Sequence, residues 1–521
     1  MAERKKQQLE AKAEAETAAE AETKRVADRT ISAHQPAPVG RPLAQAPPPV
    51  AKTAKPPPQP APAPALPAVN TDSNSNLRGE ASVAKVTDSP PGSVFDGLWR
   101  AEPATRAAAV AVDGEGVGVS AGEAKKAAVS TALLVICANR PEYLERTLAK
   151  VLEYHPRVGY SVIISEDGAN DKVKAVIDRF RDRINASPAP SGDELKGSRL
   201  YSQPKPSAHG GSGVGVGVSV PVVHFHHPHY HEPAENGYFK LSKHFKYALT
   251  TVFDATHTSY NPYKVGGLIP SAKEGGFQRV VILEEDIEIA PDFFEFFTAV
   301  TPVVDRDKNV LCASAWNDNG FKRLLHPDVS QSAGKLVRSD FFPGLGWMMS
   351  RAVWEDLGPK WPRAYWDDWL REPKNRRGRH TIRPEVCRTF HFGTKGTSFG
   401  QYNSYLNSIE LNKEFVPFTA VDLSYLGEQQ WDSQYLTAVR EATAVTMNQF
   451  GSAAASAGPD VEFKVVYTSF DGREGTSFPR VAAWANCMDN IKANVPRTAY
   501  HGVVSVYKDG HRVHLVHKDF N

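Results

Sequence analysis

The chain has 521 residues, 61 Lys plus Arg against 59 Asp plus Glu, and a formal net charge of +2. That length allows about two to four folded units. The near balance of charge excludes a dedicated nucleic-acid binder, which carries a basic face, and four cysteines exclude a disulfide scaffold.

Residues 1–30 are mostly Ala, Glu and Lys, with no apolar stripe for a helix to bury. From Pro36 to Pro67 the chain runs through APPPVAKTAKPPPQPAPAPALP, where proline blocks helix and sheet pairing and favours solvated, extended backbone. Composition stays poor in large apolar residues to about 126, so 1–126 is expected to be a disordered stalk. No run of 18 apolar residues occurs, and the start lacks the basic-then-apolar pattern of a signal peptide.

Order is expected from Ala127. AVSTALLVICA predicts a buried strand, and PEYLERTLAKVLEYH places apolar residues at helical spacing. YSVIISEDG predicts a second strand ending in acids, followed by the amphipathic helix NDKVKAVIDRFRDRI. Strand–helix–strand–helix with apolar strands predicts a parallel sheet covered on both faces, and ligands of such sheets bind outside the carboxyl ends of the strands. Arg140, Glu166 and Asp167 fall at those ends.

Residues 188–235 interrupt this pattern. The stretch HGGSGVGVGVSVPVVHFHHPHYHEP holds His224, His226, His227, His229 and His231. Without cysteines at fixed offsets, it reads as a flexible surface loop with no dedicated metal site. GYFKLSKHFKYALTTVFD then predicts a helix bearing His244 on the face of Leu241 and Ala248.

RVVIL predicts a strand that drives three carboxylates, Glu284, Glu285 and Asp286, to its end. Such a cluster needs a cation. A divalent metal completed by phosphate oxygens would supply it, and an acidic helix N-terminus is the equal alternative for this segment taken alone. Downstream, DFFPGLGW carries a glycine turn that permits close backbone approach to a ligand. KWPRAYWDDWLR gathers tryptophans around Asp367 and Asp368, predicting a desolvated carboxylate suited to general-base work. GTKGTSFGQ has the composition of a loop that closes over a substrate.

VVILEEDIEIAPDFF, ASAWNDNG, DFFPGLGW, KWPRAYWDDWLR and RPEVCRTFHFG, in this order, closely resemble the β-1,2-N-acetylglucosaminyltransferase I family from about residue 130 to 519. The resemblance implies an α/β fold: a GT-A, Rossmann-like nucleotide-sugar domain (127–428) with a small C-terminal α+β domain (429–521). It also implies an inverting glycosyltransferase that uses UDP-GlcNAc and Mn²⁺ to extend the α-1,3-arm mannose of high-mannose N-glycans. Carried over by motif, Arg140, Asp167 and His244 would bind the donor, with Glu284, Glu285 and Trp366 also on the substrate side. Asp286 would be the metal ligand, Asp367 the catalytic base, and Ser398 part of the loop that orders over the donor.

Several positions depart from the family pattern. Glu285 stands where an aspartate is expected, as in the sister O-mannose β-1,2-GlcNAc transferases, whereas the WDDWLR run and the tail resemble the N-glycan enzymes. A catalytically silent, glycan-binding relative is a third reading; retention of Asp286 and Asp367 weighs against it. Ala138 and Gly168 occupy the positions of one family disulfide. Cys312 matches a cysteine of another, whose partner position holds Thr381, with Cys387 as a candidate substitute. The family consists of Golgi type II membrane proteins, so an anchor is expected outside this chain. Asn185-Ala-Ser187 is a glycosylation sequon.

Overall fold

The structure, a computed structural model, describes residues 120, 122, 130–157, 159–190, 195–201, 220–227, 236–253, 276–397, 403–470 and 476–520. Apart from Ser120 and Gly122, the stalk expected over 1–126 lies outside them.

Strand β1 (Thr131–Cys137) is buried at every position, which requires apolar cover on both faces and makes it central. It pairs in parallel with β2 (Ser161–Asp167) on one side and β4 (Arg279–Glu284) on the other. The sheet continues to β3 (Val222–His227), parallel to β2. On the other side it runs through β8 (Trp347–Ser350), β6 (Val310–Ser314), β9 (His380–Pro384) and β7 (Leu336–Ser339), giving eight strands in the order β3-β2-β1-β4-β8-β6-β9-β7. The expected parallel sheet is therefore mixed. β8 runs antiparallel to both β4 and β6, entered through Gly344, Leu345 and Gly346, all at positive φ. Two of the three are glycines, which pay no Cβ penalty there.

Side chains alternate across each strand, and two of the three core clusters cover the two faces of the sheet. Leu133, Val135, Val162 and Ile164 pack with helices α1 (Pro141–Tyr154) and α2 (Asp171–Ala186). α1 buries Leu144, Thr147, Leu148, Val151 and Leu152 at helical spacing and starts with proline in its first turn. The Asn170 side chain accepts hydrogen bonds from Lys172 N and Val173 N to cap α2. On the opposite face Ala132, Leu134, Ile136, Ile163 and Phe225 meet α3 (Gly237–Phe253).

The segment expected as an unstructured insertion contains strand β3. VVHFHH alternates buried Val223, Phe225 and His227 with the less buried Val222, His224 and His226, a strand period that the flanking glycines and prolines mask in the sequence.

Past β4, the short β5 (Ile287–Ile289) leads to α4 (Phe293–Arg306) and pairs antiparallel with β10 (Thr389–His391). In the C-terminal part, β11 (Thr443–Ala444), β12 (Phe463–Tyr467), β13 (Val504–Lys508) and β14 (His511–His517) form a second sheet in the order β11-β12-β14-β13. Trp431, Tyr435 and Val439 of the preceding helix belong to the same core cluster as α1 and α2. Among the described residues, no helix is long and apolar enough to cross a membrane.

Candidate active site

The carboxyl ends of β1, β2 and β4 open into a cleft of about 890 Å³. Arg140, Asp167, His244, Glu284, Glu285 and Asp286 all line it, together with His391 and the 393–397 loop. Six of the residues singled out from sequence thus converge, because parallel strands end on one edge of a sheet.

Arg140 organises the acids. Its Nε donates to Glu285 Oε1 at 2.5 Å, and its Nη1 donates to Asp286 Oδ2 at 2.9 Å and to Lys395 O at 2.6 Å. Glu285 Oε2 accepts from Ala138 N at 3.1 Å, so this side chain bridges the first turn and the arginine. Burial pushes the Glu285 carboxyl up, against the opposing pull of Arg140. Glu284 keeps some surface toward the cleft but sits deep enough that burial, reinforced by Asp286, raises its carboxyl to about 8. The Thr147 hydroxyl, on α1, donates to Glu285 O and lies 3.0 Å from Ile287 O, pinning the turn between β4 and β5.

Asp286 faces His391 as well. The β5–β10 pairing brings His391 Nε2 to 3.6 Å from Asp286 Oδ2, and the buried His391 Nδ1 has no hydrogen-bond partner among the described residues. Burial lowers the imidazole pKa, opposed by Asp286. Asp286, Glu284 and His391 line the same cleft, with Asp286 and His391 the pair in close approach; carboxylate and imidazole are donor types that suit a divalent cation. Gly393 lies tight against this group: a Cβ there would stand 2.9 Å from both Cβ and Cγ of Asp286.

A second chain of contacts starts at Asp167. Its Oδ1 is 2.7 Å from His227 Nδ1, the His227 ring stacks on His244 with centroids 5.4 Å apart, and His244 Nε2 is 2.9 Å from Ser165 Oγ. His227 and His391 are the residues that sequence reasoning missed. The first hid in a stretch read as loop. The second is joined to Asp286 only by a strand pairing about a hundred residues distant in sequence.

The tryptophan pocket is different from the expectation. Trp366 is 6% exposed and stacks on Phe245, Trp347 and Trp361, with centroids 4.4, 5.8 and 5.8 Å away. Within α5 (Trp366–Arg371), Trp366 and Leu370 share the inward face at i, i+4, so Trp366 is a core residue rather than a cleft wall. Asp367 then points outward. Its side chain is 43% exposed, and Oδ2 accepts from Arg371 Nη1 at 2.8 Å. It is not enclosed by indoles, but its charge is near enough to add to the upward push on Glu284. Asp368 is held by Arg371 at 2.7 Å and Lys492 at 3.1 Å; burial opposes these cations, which together lower its pKa. Ser398 lies outside the described residues; Thr397 beside it lines the cleft.

The cysteine expectation is settled by register. Cys312 and Thr381 are directly opposed on β6 and β9, with Sγ 3.4 Å from Thr381 Oγ1. Cys387 Sγ instead accepts from Asn317 N at 3.1 Å. All four cysteines are free thiols, so Cys387 does not substitute as a partner of Cys312.

Comparison with known proteins adds the family. The GNT-I family model matches residues 106–190 and 226–520. An Arabidopsis thaliana alpha-1,3-mannosyl-glycoprotein 2-beta-N-acetylglucosaminyltransferase is 37% identical over 377 residues, covering 72% of this chain and 70% of the relative. Among solved structures, the mannosyltransferase PcManGT from Pyrobaculum calidifontis, in complex with GDP-Man and Mn²⁺, aligns over 64% of this chain and 77% of its own at 14% identity and TM-score 0.29. S. aureus TarS aligns over 51% of this chain and 37% of its own, at 11% identity and TM-score 0.28. On the family match and the 37% identical relative, this chain, whose fold is mixed α/β, belongs to the GNT-I family and is a glycosyltransferase.

Proposed function

We propose that the protein moves GlcNAc from UDP-GlcNAc to the 2-hydroxyl of the α-1,3-arm mannose of a high-mannose N-glycan, in β-1,2 linkage. The observation that carries this reading is the cleft at the strand ends, where Arg140 and Asp286 meet at 2.9 Å with Asp167 and His244 on the same walls. The N-acetylglucosaminyltransferase I activity of the family supports the choice of sugar and acceptor.

In this reading Asp167 and His244 bind the nucleotide end of the donor, and the Arg140 guanidinium meets its diphosphate. Asp367, oriented by Arg371, removes the proton from the acceptor hydroxyl as its oxygen attacks the anomeric carbon. The bond from that carbon to the diphosphate oxygen breaks, UDP leaves with the electron pair, and one in-line displacement inverts the anomer. Mn²⁺, when bound, offsets the charge that develops on the departing diphosphate. Asp286 would hold it, with His391 3.6 Å away and Glu284 lining the same cleft. The 393–397 loop, tied to Arg140 through Lys395 O, excludes water over the donor.

We infer further that the enzyme works on glycoproteins in the Golgi lumen. The test is transfer from UDP-GlcNAc with Mn²⁺ to two acceptors, a Man5 N-glycan and an O-mannosyl peptide. Transfer to the N-glycan alone supports the reading. Preference for the peptide favours the sister activity, and glycan binding without transfer to either acceptor favours a lectin.

A further inference from the structure

On the face of β2 opposite Asp167 sits a cluster that the transfer reaction does not use. In the parallel pairing of β2 with β3, Ile164 lies opposite His224, Glu166 opposite His226 and Asp167 opposite His227. Because strand side chains alternate, Asp167 and His227 face α3 and the nucleotide cleft, whereas Glu166, His224 and His226 face the α2 side. There Glu166 Oε2 is 2.9 Å from His224 Nε2 and 3.3 Å from His226 Nδ1. These three residues are the one group of three or more His, Cys, Asp or Glu donors, among the described residues, whose ligand atoms all fall within 4.8 Å of one another.

We propose that Glu166, His224 and His226 bind a borderline transition-metal ion of the zinc class, in a site separate from Asp286. Three features carry this. The spacing is right: donors about 2.0–2.2 Å from a common ion stand about 3 Å apart at its coordination sphere. The chemistry is right, since two imidazoles and one carboxylate form a zinc-type donor set, distinct from the oxygen-rich group around Asp286. The shell is built: the Glu166 side chain has no exposed surface and that of His224 is 7% exposed. Glu166 Oε1 is also held by Asn170 N at 2.6 Å, the kind of outer hydrogen bond that orients a metal ligand. His226, 29% exposed, leaves the solvent side open for a water as fourth ligand. Its Nδ1 lies 2.8 Å from Gly168 O, and this hydrogen bond gives way when the nitrogen coordinates.

His224 falls in the segment that the family match leaves out, 191–225. The role of the ion is structural. It ties the edge strand β3 to β2 and to the 168–170 turn, whose Asn170 both caps α2 and lines the cleft.

The experiment uses the full chain without an affinity tag, stripped of metal and titrated with Zn²⁺ and with Co²⁺. Wild type is expected to take up one tightly bound equivalent, to show the visible d–d absorption of four-coordinate Co²⁺, and to melt at a higher temperature with Zn²⁺. His224→Gln/His226→Gln is expected to lose the tight equivalent, the spectrum and the thermal shift while keeping its far-ultraviolet circular dichroism. Asp286→Asn is expected to keep all three. A His229→Ala/His231→Ala variant separates the site from the neighbouring histidines and is also expected to keep all three. The proposal is overturned if wild type shows no tight equivalent, if the His224/His226 variant keeps it, or if Asp286→Asn or His229→Ala/His231→Ala removes it.

Discussion

Arg140 Nη1 lies 2.9 Å from Asp286 Oδ2, the carboxylate proposed to hold the metal, while its Nε holds Glu285 at 2.5 Å. One guanidinium therefore pairs with two buried acids and, through Lys395 O, also fastens a loop that lines the cleft. Arg140→Ala would leave Glu285 buried with only the Ala138 amide. Breaking a buried ion pair costs about 3–5 kcal/mol, and the 28% exposure of the Arg140 side chain puts this case at the lower end. Calorimetry should give a lower Tm, and UDP affinity should fall with it. An unchanged Tm would show that Glu285 is neutral and needs no partner.

Gly393→Ala tests the metal carboxylate from the opposite side. The added methyl would press on Asp286 Cβ and Cγ; rotation about χ1 does not move Cβ, so the backbone at 393 or 286 must shift and carry the carboxylate from its position. We expect kcat/KM in Mn²⁺ to fall about 10-fold or more, a transition-state loss of about 1.4 kcal/mol, with raised Mn²⁺ requirement and a lower Tm. Wild-type Mn²⁺ dependence in this variant would remove Asp286 from the metal site.

Asp367→Asn keeps the shape of the side chain and loses the proton acceptor. General-base removal typically costs about 10²–10⁴ in rate. The fall should appear in kcat, with UDP binding by titration calorimetry unchanged, because Asp367 sits outside the cleft lining. Substantial residual turnover would assign the base elsewhere.

How much of this was legible beforehand depends on whether the signal was local. β1, β2 and β4 were readable because a strand buried on both faces must be an unbroken apolar run, and the acids at their ends followed from the sheet. The opposition of Cys312 and Thr381 was likewise visible as a motif match. Trp366 was misread because aromatic composition does not say which way a ring points; the i, i+4 spacing with Leu370 does. His391 lay within the RPEVCRTFHFG run, but nothing local tied it to Asp286, whose approach exists only through the pairing of β5 with β10. His227 was obscured by three histidines on a strand whose polar positions resembled loop.

His155 offers a pH test remote from the site. It is fully buried, with Nε2 3.0 Å from Tyr160 O and Nδ1 accepting from Arg157 N, an arrangement that one neutral tautomer satisfies. Burial lowers its pKa to about 3. Between an unfolded value of about 6.5 and that folded value, the unfolded chain binds the extra proton. Stability is therefore present above about pH 6.5 and is lost as pH falls, by up to about 1.4 kcal/mol per pH unit from this group. Denaturant melts of wild type and His155→Gln between pH 7 and 5 should show the shallower pH slope in the variant; equal slopes would mean that His155 is protonated in the folded state.

The free thiols have a preparative consequence. Burial pushes Cys312, Cys387 and Cys487 up to about 12 and Cys137 well above its usual range. At neutral pH they are thiols rather than thiolates, slow to alkylate or to exchange. No cross-link has to form for the chain to reach this fold, so production in a reducing bacterial cytoplasm should yield folded protein. Millimolar dithiothreitol, measured in the absence of added metal, should leave its melting temperature where it was.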